Sequence, residues 1–220
     1  MIGRDIRICI FGDSFTVGTG DPAHMGWVGR LARDLHHEGF VLTVYNLGVR
    51  AHTSADVRAR FAAELAVRVR RDVDTRVVVS IGVNDTVLDG AMPRVAPEAS
   101  IANLEALCET TERLGLALLV VGPTPVADAL HNRRIADLSD RFGDLCRRRD
   151  VPYVEVYATL ERSQVWMGEV EAIDGAHPRS AGYNLLAELI ADPWRSWLLG
   201  GERSSWPVER PTQNVSAPTD

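Results

Sequence analysis

The sequence predicts an α/β domain: a parallel sheet of five strands with helices packed on both faces. Three observations predict it. Short apolar runs alternate along the chain with segments whose apolar residues recur at helical spacing. The runs are apolar throughout rather than at every second residue, which marks strands buried on both faces, as in parallel sheets. Glycine punctuates most of the run ends, and no repeat or linker divides the chain. One domain over residues 1–199 is expected, followed by a loosely held Ser/Pro/Thr-rich tail over residues 200–220.

Taken in order, Ile6 to Phe11 reads as the first strand and ends at Gly12. Trp27, Val28, Leu31 and Leu35 then mark one face of a helix that Gly39 ends. Phe40 to Leu47 is the second strand, closed by Asn46-Leu47-Gly48. Val57, Phe61 and Leu65 stripe the next helix, with arginines on its other faces. Val77 to Ile81 is the third strand, punctuated by Gly82. A helix with Ile101, Leu104, Leu107, Cys108 and Leu114 leads to the fourth strand, Leu116 to Val121. Ile135, Leu138, Phe142 and Leu145 define another helix, and Val151 to Val156 the fifth strand. Ser180 is expected to cap a last long helix, which Asp192-Pro193 should stop and restart as a short one.

Composition removes several function classes. The 220 residues carry 24 basic and 30 acidic side chains, for a net charge of −6, so no nucleic acid partner is expected. Every basic side chain is arginine. Without a lysine there is no Schiff base, no pyridoxal phosphate anchor and no Walker-type phosphate lysine. Cys9, Cys108 and Cys146 are odd in number, far apart and set in apolar segments, so they read as buried free thiols in a reducing compartment. The first ten residues, interrupted by Arg4, Asp5 and Arg7, are too short for a signal peptide, and no apolar run approaches a membrane span. A cytoplasmic protein with no stable membrane insertion is the expectation.

Ligands of open parallel sheets bind beyond the C-terminal strand ends. There the sequence places Gly12-Asp13-Ser14, Asn46-Leu47-Gly48, Gly82-Val83-Asn84-Asp85 and Gly122-Pro123, with Asp174-Gly175-Ala176-His177-Pro178 arriving later. A hydroxyl, an imidazole and a carboxylate at one edge are the parts of a serine hydrolase. Ser14 is the candidate nucleophile, and it needs a base. His177 is that base, turned away from helix by Pro178, and Asp174 is close enough to hold its Nδ1. The Ser14 and Gly48 backbone N–H groups and the Asn84 amide are candidate oxyanion donors, and Gly48 is expected to let the backbone approach the substrate. Protonation of His177 should then abolish activity.

These motifs, in this order, resemble the GDSL family of esterases and lipases, also called SGNH hydrolases. The resemblance runs from about Ile6 to Ile190: Phe11-Gly12-Asp13-Ser14, then Gly48, Asn84 and the Asp174–His177 pair. It implies a flavodoxin-like three-layer α/β/α sandwich and hydrolysis of a small-molecule carboxylic ester through an acyl-enzyme, with no metal or cofactor. Phe15 departs from the leucine commoner after the serine. An O-acetyl-sugar esterase, a thioesterase and a non-catalytic binding protein of this fold are the alternative readings. Taken singly, Ser14 also reads as a helix cap and Asn84-Asp85 as a turn; Asp85 is assigned no catalytic role. His24, His52 and His131 read as loop or surface residues, with His52 near the site mouth.

Overall fold

The computed structural model describes residues 5–38, 40–70 and 72–200. In chain order the strands are β1 (Asp5–Gly12), β2 (Val41–Gly48), β3 (Asp74–Ser80), a short pair β4 (Leu88–Asp89) and β5 (Met92–Pro93), β6 (Ala117–Val121) and β7 (Tyr153–Val154). The helices are α1 (Ser14–Val17), α2 (Gly26–His37), α3 (Ser54–Ala66), α4 (Pro97–Arg113), α5 (Ala129–Arg148), α6 (Tyr157–Glu161), α7 (Gln164–Glu171) and α8 (Ser180–Leu199). Five strands form one parallel sheet in the order β2-β1-β3-β6-β7, while β4 and β5 pair as a separate antiparallel hairpin. This is the flavodoxin-like strand order, and it reverses direction between β1 and β3.

The sheet divides the core by the two-residue period of its strands. Ile6, Ile8 and Ile10 of β1 join the cluster that holds Trp27, Leu31, Trp166, Tyr183 and Trp194. Cys9 and Phe11 join the opposite cluster, with Phe61, Leu65, Leu104, Phe142 and Leu145. β3 repeats the division, sending Val78 to the first layer and Val77 and Val79 to the second. Each side chain of this kind, fully buried, stabilises the fold by roughly 1.5–3 kcal/mol. Register then sets the functional edge: Gly12 lies opposite Gly48 on one side and Ser80 on the other. The turns carrying Ser14, Val49 and Asn84 therefore leave the sheet side by side.

The C-terminal helix differs from expectation. Asp192-Pro193 neither stops nor restarts it, and α8 runs unbroken through Pro193 to Leu199. A proline inside a helix costs about 3 kcal/mol. Burial of Trp194, Trp197 and Leu198 on the core beyond it, at roughly 1.5–3 kcal/mol each, outweighs that cost. Ser180 is not the cap either: Arg179 holds the cap position and Ser180 is the first helical residue. The last strand has two residues, Tyr153 and Val154, instead of six. Helices α1, α6 and α7 and the β4–β5 hairpin were not expected, being too short for periodicity to mark them. Gly200, assigned to the tail, caps α8 through its N–H to the Ser196 carbonyl at 2.8 Å. Residues 201–220, Trp206 among them, lie outside the described residues.

The Ser180 hydroxyl serves another purpose, donating to Asp21 Oδ1 at 2.8 Å. Asp21 is buried and also accepts from the Ala23, Met25 and Gly26 N–H groups and from the Arg30 guanidinium. Arg30 in turn donates to the Ser180 carbonyl and to Asn184. Asp21 thus ties the loop after α1 to the start of α8. Burial pushes its carboxyl pKa up, but the hydrogen bonds from Arg30, Ser180 and the backbone prevail and hold it well below the usual carboxylate range. A depressed folded-state pKa contributes stability above the unfolded value near 4, which is lost as pH falls. Asp21→Ala is expected to cost about 3–5 kcal/mol at neutral pH, because it strands the Arg30 cation in the interior. The difference from the parent should narrow below about pH 4. Urea unfolding at several pH values checks both; a loss under about 1 kcal/mol at neutral pH would contradict the clamp.

Candidate active site

The site begins at Gly12. A Cβ there would sit 2.0 Å from Thr16 Oγ1 and 2.5 Å from the Ser80 carbonyl, so only glycine lets the chain turn this sharply off β1. Asp13 then caps α1, accepting from the Phe15 N–H at 2.9 Å. Ser14 becomes the first residue of that four-residue helix, with its hydroxyl directed at a loop far along the chain. There His177 Nε2 stands 2.7 Å from Ser14 Oγ.

The other face of the imidazole completes a chain of hydrogen bonds. His177 Nδ1 lies 2.7 Å from Asp174 Oδ2, and Asp174 Oδ1 accepts from the backbone N–H groups of Ala176 and His177 at 3.0 and 2.8 Å. With Nδ1–H donating to the carboxylate, Nε2 is left to accept the Ser14 proton. Burial raises the Asp174 pKa, but the hydrogen bonds from the His177 backbone and ring and from Ala176 outweigh it and hold the carboxyl at about 2. Phe15, the departure from the commoner leucine, lies against the imidazole with ring centroids 5.0 Å apart, and Trp166 stacks on Phe15 at 6.3 Å. Trp166 and Trp27 are fully buried in the core.

Gly48 and Asn84 both arrive against Asp13, the residue before Ser14, through contacts the sequence did not indicate. A Cβ on Gly48 would meet Val17 N at 2.7 Å and the Asp13 carbonyl at 2.8 Å. The close approach that requires glycine here is between β2 and α1. The Gly48 N–H donates to Asn46 Oδ1 at 3.1 Å. The Asn84 amide donates to the His52 carbonyl at 3.1 Å and to Asp13 Oδ2 at 3.2 Å. Asp85, beside it, is buried and accepts from the Ser54 N–H at the start of α3, which agrees with a structural part for it.

Two residues of the neighbourhood escaped sequence reasoning. His131, read as a surface histidine, reaches from α5 to Thr86 Oγ1 at 2.9 Å and the Val83 carbonyl at 3.2 Å, bracing the Asn84 turn. Arg60, one of the arginines placed on the other faces of α3, is folded inward against β1 and β2. An arginine one position before Phe61 looks no different from its exposed neighbours in a single sequence. Among the described residues, no group of three or more His, Cys, Asp or Glu is placed to hold a metal ion. No helix among them is long and apolar enough to cross a membrane.

A flavodoxin-like sheet with hydroxyl, imidazole and carboxylate in hydrogen-bond sequence at its C-terminal edge has the parts of a hydrolytic site. Comparison with known proteins makes the assignment specific. The model of the GDSL-like lipase/acylhydrolase family matches residues 10–185. The esterase TesA of Pseudomonas aeruginosa is 27% identical over 183 residues, covering 83% of this chain and 85% of that protein. A crystal structure of TesA superposes with a TM-score of 0.71 at 25% identity, over 87% of this chain and 99% of that one. Axe2, an acetylxylan esterase from Geobacillus stearothermophilus, shares the fold with a TM-score of 0.71 at 19% identity, over 87% and 94% of the two chains. The chain belongs to the GDSL-like lipase/acylhydrolase family and is a carboxylic ester hydrolase of that type.

Asp13 carries a prediction of its own. Burial, followed by the nearby Asp85 charge, pushes its carboxyl up to about 7 against the pull of the Phe15 N–H. A carboxyl with a raised folded-state pKa binds more protons folded than unfolded between about pH 4 and that value, so stability falls as pH rises through the window. Asp13→Asn keeps the helix cap and removes the titration. Urea midpoints for the variant should gain on the parent between about pH 4 and 7; parallel curves would contradict the assignment.

Proposed function

We propose that this protein hydrolyses small carboxylic esters bearing an apolar acyl group, through an acyl-enzyme on Ser14. The observation that carries the reading is the chain Ser14 Oγ–His177 Nε2 and Nδ1–Asp174, with both links at 2.7 Å. Ser14 Oγ attacks the ester carbonyl carbon while its proton passes to His177 Nε2. The carbonyl oxygen becomes an oxyanion. His177 then returns the proton to the departing alcohol as the C–O bond breaks. A water, deprotonated by His177, attacks the acyl-enzyme, and collapse of the second oxyanion releases the acid and restores the Ser14 hydroxyl. Asp174, held at about 2, stays ionised throughout and stabilises the imidazolium.

The oxyanion donors are the Ser14 N–H, the Gly48 N–H and the Asn84 amide. As the first residue of α1, Ser14 has an N–H with no acceptor inside the helix. The Gly48 N–H donates to a neutral side-chain oxygen, and the Asn84 amide to a backbone carbonyl and to Asp13; a full negative charge on the oxyanion makes a stronger acceptor than the neutral oxygens among them. The acyl preference is supported by the rim. Val17, Val49, Leu88, Met92, Leu130 and Ile173 stand exposed on segments that follow the C-terminal strand ends. None of the large hydrophobic residues exposed among the described residues is aromatic; all are aliphatic, which suits an acyl chain.

Hydrolysis of p-nitrophenyl esters from acetate to long acyl chains, with chelator present, tests both parts. Ser14→Ala should lose about 10³-fold or more, and the parent should prefer medium chains to acetate. Equal rates in the variant would remove Ser14 as nucleophile. An acetate optimum with turnover of acetylated xylo-oligosaccharides would move the substrate to O-acetyl sugars, and strong preference for acyl thioesters would make the protein a thioesterase.

A further inference from the structure

We infer that Arg60 is a positioning residue for the oxyanion hole; this rests on the reading that Gly48 and Asn84 face the oxyanion. The Arg60 side chain is 16% exposed and its guanidinium lies 5.5 Å from the centre of the Phe11 ring, with Glu64 Oε1 at 3.5 Å. From there it spans three segments. Nη2 donates to the Leu47 carbonyl at 2.6 Å and to the Gly12 carbonyl at 3.3 Å, and Nε donates to His52 Nδ1 at 3.3 Å.

Each acceptor is one step from the reacting atoms. The Leu47 carbonyl and the Gly48 N–H are the two ends of one planar trans peptide, so holding the oxygen aims the N–H the opposite way. A cation on that oxygen also polarises the amide and makes its N–H a stronger donor. His52 offers its carbonyl to Asn84 Nδ2 at 3.1 Å, so the grip on His52 reaches the second donor. Gly12 supplies the peptide that leads into Asp13 and Ser14. A planar fork of fixed donors meets three acceptors at once, which the point charge of a lysine ammonium does not.

The test measures p-nitrophenyl butyrate hydrolysis by Arg60→Lys, Arg60→Gln, Asn84→Ala and the Arg60→Gln/Asn84→Ala pair. Competent sites are counted by the p-nitrophenol released when diethyl p-nitrophenyl phosphate phosphorylates the serine. Arg60→Lys keeps a cation beside Glu64 and Phe11 and so preserves the fold. Both Arg60 variants are expected to lose about 10- to 100-fold in kcat per counted site, with KM within about threefold of the parent. Arg60→Gln should cost less when Asn84 is already alanine, because part of its effect passes through that amide. A loss that vanishes once rates are divided by counted sites would make Arg60 a folding residue alone and overturn the proposal. A KM that rises while kcat holds would overturn it too. If Asn84→Ala itself lost nothing, the oxyanion reading beneath the proposal would fall instead.

Discussion

The structure turns on one hydrogen bond, the 2.7 Å contact between Ser14 Oγ and His177 Nε2, whose partners are 163 residues apart. A misplacement of either by a single ångström would break it. The fold holds each partner from more than one side. Ser14 is set by the Gly12 turn and the Asp13 cap. His177 is set by Asp174 on one edge of its ring and by Phe15 on its face. The Asp21 clamp then fastens the loop after α1 to the start of α8, three residues beyond His177. N-terminal and C-terminal parts of the chain are thus joined beside the site as well as within it.

Buried charge has different consequences at three neighbouring positions. Asp21 is met by a guanidinium, a hydroxyl and three backbone N–H groups, and its carboxyl stays far below the usual range. Asp13 has one backbone N–H and one amide, with Asp85 adding a second negative charge nearby, and its carboxyl rises to about 7. Arg60 is met by two carbonyl oxygens, a histidine nitrogen, a ring face and a glutamate 3.5 Å away. Desolvation acts on all three; what differs is how many opposite charges and hydrogen bonds answer it. At this edge of the sheet polar groups hold one another in place, and the apolar layers serve as foundation.

Much of the architecture was legible because long elements repeat their signal. The apolar strands β1, β3 and β6 and the stripes of α2, α4 and α5 each carry enough residues for period to mark them. The five motif residues stand out in the sequence because their types are rare in combination and each falls at a strand end or a proline-bounded turn. What stayed hidden was short or depended on distant partners. Helix α1 has four residues and β7 two. Pro193 reads as a stop in any local view, and α8 passes it because tryptophans beyond it find places in a core built by other segments.

The sequence by itself determined the alternation of elements and the residue types brought to the C-terminal edge. These follow from backbone periodicity and from turn chemistry, which are local. Only the tertiary structure decided which arginine is buried, what the Gly48 N–H and Asn84 amide contact, and why Gly48 must be glycine: the approach it permits is to α1. Those outcomes depend on the relative placement of β1, β2, α1 and α3 to within a fraction of an ångström. No residue carries that information alone, because it arises when several packed elements compete for the same space and the same donors.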